Sequence, residues 1–246
     1  MAYLEVENLS LTLDDKQLLK NLSFSLEKGS LTLIAGKNGS GKSLLLKCLK
    51  GLEIPQKGTR IVLDGNEMKK SKERMRMVAL VFQDTALQIV GSTVERDIAF
   101  GPENLGWDKD RIETITDQMI SMFELDKVRT SNPETLSGGE KRKLAIAGVL
   151  AMEPKLLLLD EPFANLDYPS TKIVIKALET LKKSGITVIL VSHEAEKFLR
   201  HTDNTIIISN GEIVFNDKSE NAIPALIAND VYLPKGASFE ELSWLD

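Results

Sequence analysis

The sequence predicts an α/β protein whose core is a mostly parallel sheet covered by helices, with a helical insertion in the middle of the chain. Three observations lead there. After residue 151, short apolar runs alternate with stretches of helical spacing, and strand–helix alternation implies a parallel sheet. From about residue 93 to 151 that alternation gives way to helical spacing alone. A glycine-rich loop joins an apolar strand to a helix in the first fifth of the chain.

Each element follows in order. Leu4, Val6, Leu9, Leu11 and Leu13 lie in short alternating stretches, Asp14-Asp15-Lys16 makes a turn, and Leu22, Phe24 and Leu26 alternate again. Lys28-Gly29-Ser30 turns the chain into Leu31 to Ala35, a buried strand. The helix from Ser43 to Lys50 is stopped by Gly51. Arg60 to Leu63 and Met77 to Phe82 read as strands. In the insertion, Ile112, Ile115, Met119, Met122 and Phe123 share one helical face, and Ser137 to Leu150 is a second helix. Then follow a strand at Leu156 to Leu159, a helix at Thr171 to Lys183, a strand at Thr187 to Val191, a helix at Glu194 to Arg200 and a strand at Thr205 to Ile208.

Composition narrows the function. The 246 residues are ample for a hydrophobic core, and 42% apolar with 27% charged residues excludes a disordered chain. A formal charge of −5 disfavours a nucleic-acid-coating role, so no nucleic-acid partner is expected. Cys48 is the single cysteine, which rules out an intrachain disulfide and disfavours a cysteine zinc site. No apolar run approaches the roughly 20 residues that span a bilayer. Met1-Ala2-Tyr3-Leu4-Glu5 lacks the basic and apolar regions of a secretory signal, so a cytosolic location is expected.

The loop Gly36-Lys37-Asn38-Gly39-Ser40-Gly41-Lys42-Ser43 fits G-x4-G-K-[ST]. Gly36, Gly39 and Gly41 let backbone N–H groups of the loop, including those of Asn38 and Ser40, wrap a phosphate. Lys42 brings charge to the β/γ oxygens, Ser43 offers a hydroxyl to Mg²⁺, and the next helix points its positive end at the phosphates. A chance match in a chain of this length is on the order of 1 in 100 at average composition. Leu156 to Leu159 is an apolar strand that ends in Asp160-Glu161. Asp160 can hold the Mg²⁺ shell, and Glu161 can orient or deprotonate a water for attack on the γ-phosphate. Ser137-Gly138-Gly139 opens a helix; it is an N-cap and equally a second anion cradle. Two cradles on one chain point to a nucleotide sandwiched between two copies.

With these motifs in this order, the chain resembles an ATP-binding-cassette (ABC) ATPase over about residues 2 to 220. The sequence runs from the phosphate loop to Gln83 after a strand, Leu136-Ser137-Gly138-Gly139-Glu140, Asp160-Glu161, Asn165-Leu166-Asp167 and His193. The resemblance implies a P-loop NTPase fold with an N-terminal antiparallel β subdomain. It implies a single domain over 1–220, a helical subdomain at about 93–151, and a C-terminal segment at 221–246. It also implies a head-to-tail dimer in which the phosphate loop of one subunit and Ser137, Gly138 and Gly139 of the other close on one ATP. Gln83 would touch Mg²⁺ or the attacking water, His193 would contact the γ-phosphate, and Asp167 would couple the two sites across the interface. Leu13 stands where many family members stack an aromatic on adenine, and offers the base only an apolar face.

A finer resemblance, to the ATPase subunits of energy-coupling-factor importers of vitamins and metal ions, rests on two stretches. One is Gln88-Ile89-Val90-Gly91 with Ile98 to Gly106; the other is Ser137 to Lys143 running into Ala145 to Pro154. Gln83-Asp84-Thr85-Ala86 departs from the usual Gln-Asn-Pro-Asp and leaves open which of two paralogous ATPases the chain matches. The partners implied are a second ATPase subunit, identical or paralogous, a transmembrane coupling subunit and a substrate-binding membrane subunit. The chain would lie at the cytoplasmic face of the membrane as a peripheral subunit. The alternatives are the ATPase of an ordinary ABC importer, a soluble cassette ATPase acting on DNA or ribosomes, and a small-molecule kinase. Gln83 to about Asn104 is expected to receive the membrane subunit through Leu87, Ile89 and Val90, unless these pack under the insertion.

Other features read as structural. Lys69, Lys70, Lys72, Arg74 and Arg76 form a solvated loop and helix start, and Cys48 is a small buried residue. Phe239, Leu242, Trp244 and Leu245 dock on the body or a partner, or belong to a partly ordered tail.

Overall fold

The computed structural model describes residues 2–245. Strands β1 (Leu4–Leu13), β2 (Lys16–Leu26), β4 (Arg60–Leu63) and β5 (Asn66–Glu67) form an antiparallel sheet in the order β2-β1-β4-β5. Asp14 and Asp15 close the β1–β2 hairpin with φ of 47° and 60°, a left-handed turn that aspartate tolerates better than most side chains. The second sheet is built from β3 (Leu31–Ala35), β6 (Val78–Val81), β7 (Leu156–Asp160), β8 (Thr187–Val191), β9 (Asn204–Ser209) and β10 (Glu212–Lys218). Its order is β10-β9-β3-β8-β7-β6, and every neighbouring pair is parallel except β9–β10.

Strands β3, β6, β7 and β8 are buried at every position and mostly apolar, because both faces of the sheet are covered. Leu156 and Leu158 of β7 enter one core with Leu45 and Leu46 of helix α1 (Lys42–Lys50) and the antiparallel sheet. Leu157 and Leu159 point the other way, into a larger core with Leu178 of helix α6 (Tyr168–Lys183) and Leu144 of helix α5 (Gly138–Leu150). Between β5 and β6 lies a short helix, α2 (Ser71–Met77). The central helices α3 (Val94–Asn104) and α4 (Lys109–Met122) pack on each other and on α5, which also contacts β6. The chain thus has the mixed α/β architecture expected, with the antiparallel sheet in its N-terminal third and helices between β6 and β7.

Two local expectations fail. Glu194 to Arg200 is not a helix but two 3₁₀ turns, Ala195–Lys197 and Leu199–His201. Phe198 breaks it with φ −154°, turning its ring into the core against Phe163 at 4.6 Å. In the basic stretch before β6, Arg74 is buried rather than solvated, and donates to Met68 O at 3.0 Å. Strand β10 and helix α7 (Ile223–Ala228) were not expected at all. The last described residues dock on the body: Leu242 is fully buried, and Trp244 and Leu245 pack against the larger core.

Candidate active site

The phosphate loop follows β3 directly, and its shape requires glycine. Gly36 has φ 137°, and a Cβ there would meet the Ile208 carbonyl oxygen at 2.1 Å. Gly41 has φ 104° and caps α1 without a side chain, so the first-turn N–H groups face outward unsatisfied by any cap. Lys42 is buried, and its ammonium donates to Gly36 O at 2.6 Å and Lys37 O at 2.9 Å. Two of its three N–H donors brace the loop and one remains for a ligand. Burial pushes the Lys42 pKa down, while the nearby Glu161 and Asp160 carboxylates pull it back up.

Strand β7 delivers the two carboxylates. Asp160 is buried, and its Oδ1 has no hydrogen-bond partner. Burial raises its pKa, against the opposing hydrogen bond from Ser43. Glu161 turns the chain with φ 50°, an uncommon conformation for this residue, and its N–H is anchored to Val191 O at 2.9 Å. That turn sets its carboxylate into the site: Oε1 lies 2.9 Å from His193 Nδ1, and Oε2 is buried without a partner. A buried polar atom without a partner is costly, so these two oxygens are set for a group that satisfies them.

A cavity of about 390 Å³ joins Asn38, Gly39, Gly41, Lys42 and Ser43 to Gln83, Asp160, Glu161 and His193. Gly36 and Ser40 are buried behind the loop, so they shape the cradle without lining it. Leu13 is outside the cavity, half-buried against the smaller core. Ser137 and Gly138 are exposed, and with Gly139 they also lie outside it. The Ser137 hydroxyl and N–H both donate to Glu140 Oε2, at 2.7 and 2.9 Å, in a capping box that starts α5. Asp167 caps α6, accepting from Ser170 N at 2.9 Å.

The sequence did not single out Arg142. It is buried, and its guanidinium donates to Phe82 O at 3.1 Å and Gln83 O at 2.8 Å, fixing the end of β6 to α5. A basic residue inside Lys141-Arg142-Lys143 reads as solvated, and backbone acceptors far away in sequence leave no motif. Asp97 is similar: its buried carboxylate accepts from Val90 N and Gly91 N, both at 2.7 Å, and so shapes the loop after Gln83.

The ABC transporter family profile matches residues 19–164. The chain belongs to that family. It is therefore an ATP-binding ABC transporter subunit and an ATP hydrolase. It is 38% identical over 226 residues to the energy-coupling factor transporter ATP-binding protein EcfA of Methanosarcina acetivorans, covering 91% of this chain and 82% of that one. It is 38% identical over 215 residues to EcfA1 of Fusobacterium nucleatum, covering 86% and 81%. Among solved structures, cbiO1 from Clostridium perfringens, part of the ABC transporter complex cbiONQ, superposes with a TM-score of 0.82. The two are 30% identical, with 95% of this chain and 96% of that one covered.

Proposed function

We propose that this ABC ATPase energises an importer of the energy-coupling-factor type, for vitamins or metal ions, by closing on ATP as a dimer and reopening on hydrolysis. One observation carries the mechanism. The phosphate loop, both carboxylates, Gln83 and His193 share one cavity, while Ser137 and Gly138 are exposed elsewhere on the surface. Such a site is completed by a second subunit, identical or paralogous, that presents its own Ser137-Gly138-Gly139 stretch or the equivalent. The EcfA and cbiO1 relatives support the importer class.

In this reading Lys42 and the loop N–H groups hold the β- and γ-phosphates. Ser43, Asp160 and Gln83 would hold Mg²⁺, which fits the partnerless Asp160 Oδ1 and the oxygen donors beside it. The bound ion neutralises phosphate charge. Glu161 Oε2 orients or deprotonates the attacking water, and His193 aligns Glu161 through Oε1 and reaches the γ-phosphate.

No helix among the described residues is long and apolar enough to cross a membrane, so transport requires partner subunits: a transmembrane coupling subunit and a substrate-binding membrane subunit. They would hold the chain as a peripheral subunit at the cytoplasmic face. Their docking surface is the segment from Gln83 to Asn104. Leu87 and Val90 are 82% and 61% exposed, beside an apolar groove of about 310 Å³ between α3 and α5. Ile89 instead packs against the core. The cassette would span 1–220, with 221–246 as a C-terminal segment.

The Glu161→Gln variant tests the mechanism. It should bind ATP, lose most turnover and accumulate an ATP-stabilised dimer in sedimentation experiments. Near-normal turnover would refute the assignment. Purifying the tagged chain from its own membranes in mild detergent tests the importer class. Recovery of ordinary permease subunits in place of a coupling protein and a separate substrate-binding membrane protein would assign it to ordinary importers.

A further inference from the structure

Residues 239–245 lie along the segment that follows His193. Arg200 N donates to Leu242 O at 3.1 Å, Trp244 N donates to Lys197 O at 2.8 Å, and Arg200 Nη1 donates to Glu240 O at 3.2 Å. His201 is pinned between the C-terminal residues and helix α6, with Nε2 at 2.8 Å from Ser243 Oγ and Nδ1 at 2.8 Å from Glu179 Oε1. Leu242 fills the core beneath them.

Trp244 touches both the segment that follows His193 and the start of α6. On one side, Lys197 Nζ lies 4.6 Å from the centre of the indole, and the same buried ammonium pairs with Glu194, the residue after His193. On the other side, the Tyr168 ring lies 5.3 Å away, at the first position of α6 and next to Asp167. A cation over an indole and a tilted aromatic pair are both attractive contacts that hold their partners together. Neither contact is needed to bury Leu242, and both meet at one side chain.

We propose that Trp244 is a positioning residue for ATP hydrolysis: it clamps the segment after His193 to the start of α6 beside Asp167, so that both sit correctly when the site closes. This rests on the roles of His193 and Asp167 given above. Trp244 does not line the cavity that holds the phosphate loop and the two carboxylates. It acts through Lys197 and Glu194 on one side and Tyr168 on the other, and removing it loosens both without opening the phosphate loop.

Two measurements on the full chain test it. In a Trp107→Phe, Glu161→Gln background, Trp244 is the only tryptophan. Its emission should shift on titration with Mg-ATP, following the occupancy measured separately with radiolabelled ATP, and the shift should vanish when His193→Ala is added. In the otherwise native chain, Trp244→Ala should lower kcat by about fivefold or more with KM for ATP within about twofold, and Trp244→Phe should restore most of it. Lys197→Met combined with Trp244→Ala should be no worse than the more severe single variant, because they share one linkage. Failure to bind Mg-ATP would sink the underlying reading and this proposal together. Normal ATP binding with a silent Trp244, or with unchanged kcat in Trp244→Ala, would overturn the proposal alone.

Discussion

Arg142 is the residue whose removal should hurt most for the least visible reason. Its buried guanidinium makes two charge-assisted hydrogen bonds, to Phe82 O and Gln83 O. Hydrogen bonds to charged groups are worth about 1.5–3 kcal/mol each, so the gross loss on Arg142→Met is about 3–6 kcal/mol. Part is returned, because the buried guanidinium is itself poorly solvated: burial lowers its pKa, and the Asp160 and Glu161 charges offset this only in part. Methionine refills some of the volume but leaves two carbonyls without their donor. The net expectation is a destabilisation of about 2–4 kcal/mol. The assay is urea unfolding of the nucleotide-free chain, read as a lower midpoint at unchanged slope. Hydrogen exchange adds a local readout: amides from Gln83 to Gly91 should lose protection before the sheet does. Arg142→Lys should recover only part, since one ammonium replaces a fork that spans two carbonyls. A midpoint equivalent to within about 0.5 kcal/mol of the native chain, with normal exchange in that loop, would refute the reasoning.

Asp160→Asn should stabilise the nucleotide-free chain at neutral pH while abolishing turnover. An acid whose folded pKa is raised loses stability as pH rises through its unfolded pKa towards the folded one, so a neutral amide avoids that loss; a lower urea midpoint at pH 7 would contradict it. Ser137→Arg should leave ATP titration of the isolated subunit unchanged and block the ATP-stabilised dimer; normal closure would end the head-to-tail sandwich. Burial pushes the Cys48 thiol up to about 12, so it should resist a thiol reagent at pH 8 until urea unfolds the chain; rapid labelling of the folded protein would place it on an accessible surface instead.

What the sequence disclosed depended on the range of the interaction. Short unbroken apolar runs between helical stretches predicted the parallel strands, because a strand such as Leu156 to Leu159 is buried on both faces. The phosphate loop was legible for a local reason: Gly36, Gly39 and Gly41 all hold positive φ angles, whereas the close approach of Gly36 to the Ile208 carbonyl is long-range and left no mark in the sequence. The misses are tertiary. Glu194 to Arg200 has helical spacing, but Phe198 gains more from the core than from continuing a helix. Strand β10 alternates weakly, since only Ile213 and Phe215 face inward, and it forms because β9 offers it an edge. Arg142 and Asp97 act on backbone groups, which carry no residue identity to read.

The two half-sites differ in how they rest. On the phosphate-loop side, Asp160 Oδ1 and Glu161 Oε2 are buried without partners, and Glu161 holds an uncommon backbone conformation. Such groups raise the free energy of the unliganded state, and a ligand that satisfies them recovers it. On the other side, Ser137 has already given its hydroxyl and N–H to Glu140, whose carboxylate is held below its ordinary pKa range chiefly by that serine. That half is satisfied alone and need not be liganded to be stable. In the proposed head-to-tail dimer this asymmetry would order the cycle: nucleotide would go first to the loop, where unmet groups favour it, and closure would follow. Closure of that proposed dimer would exchange the Glu140 carboxylate for the phosphate of the opposite subunit, one anion for another at the same donors. The same order is why a block at Ser137 should spare nucleotide binding and abolish closure.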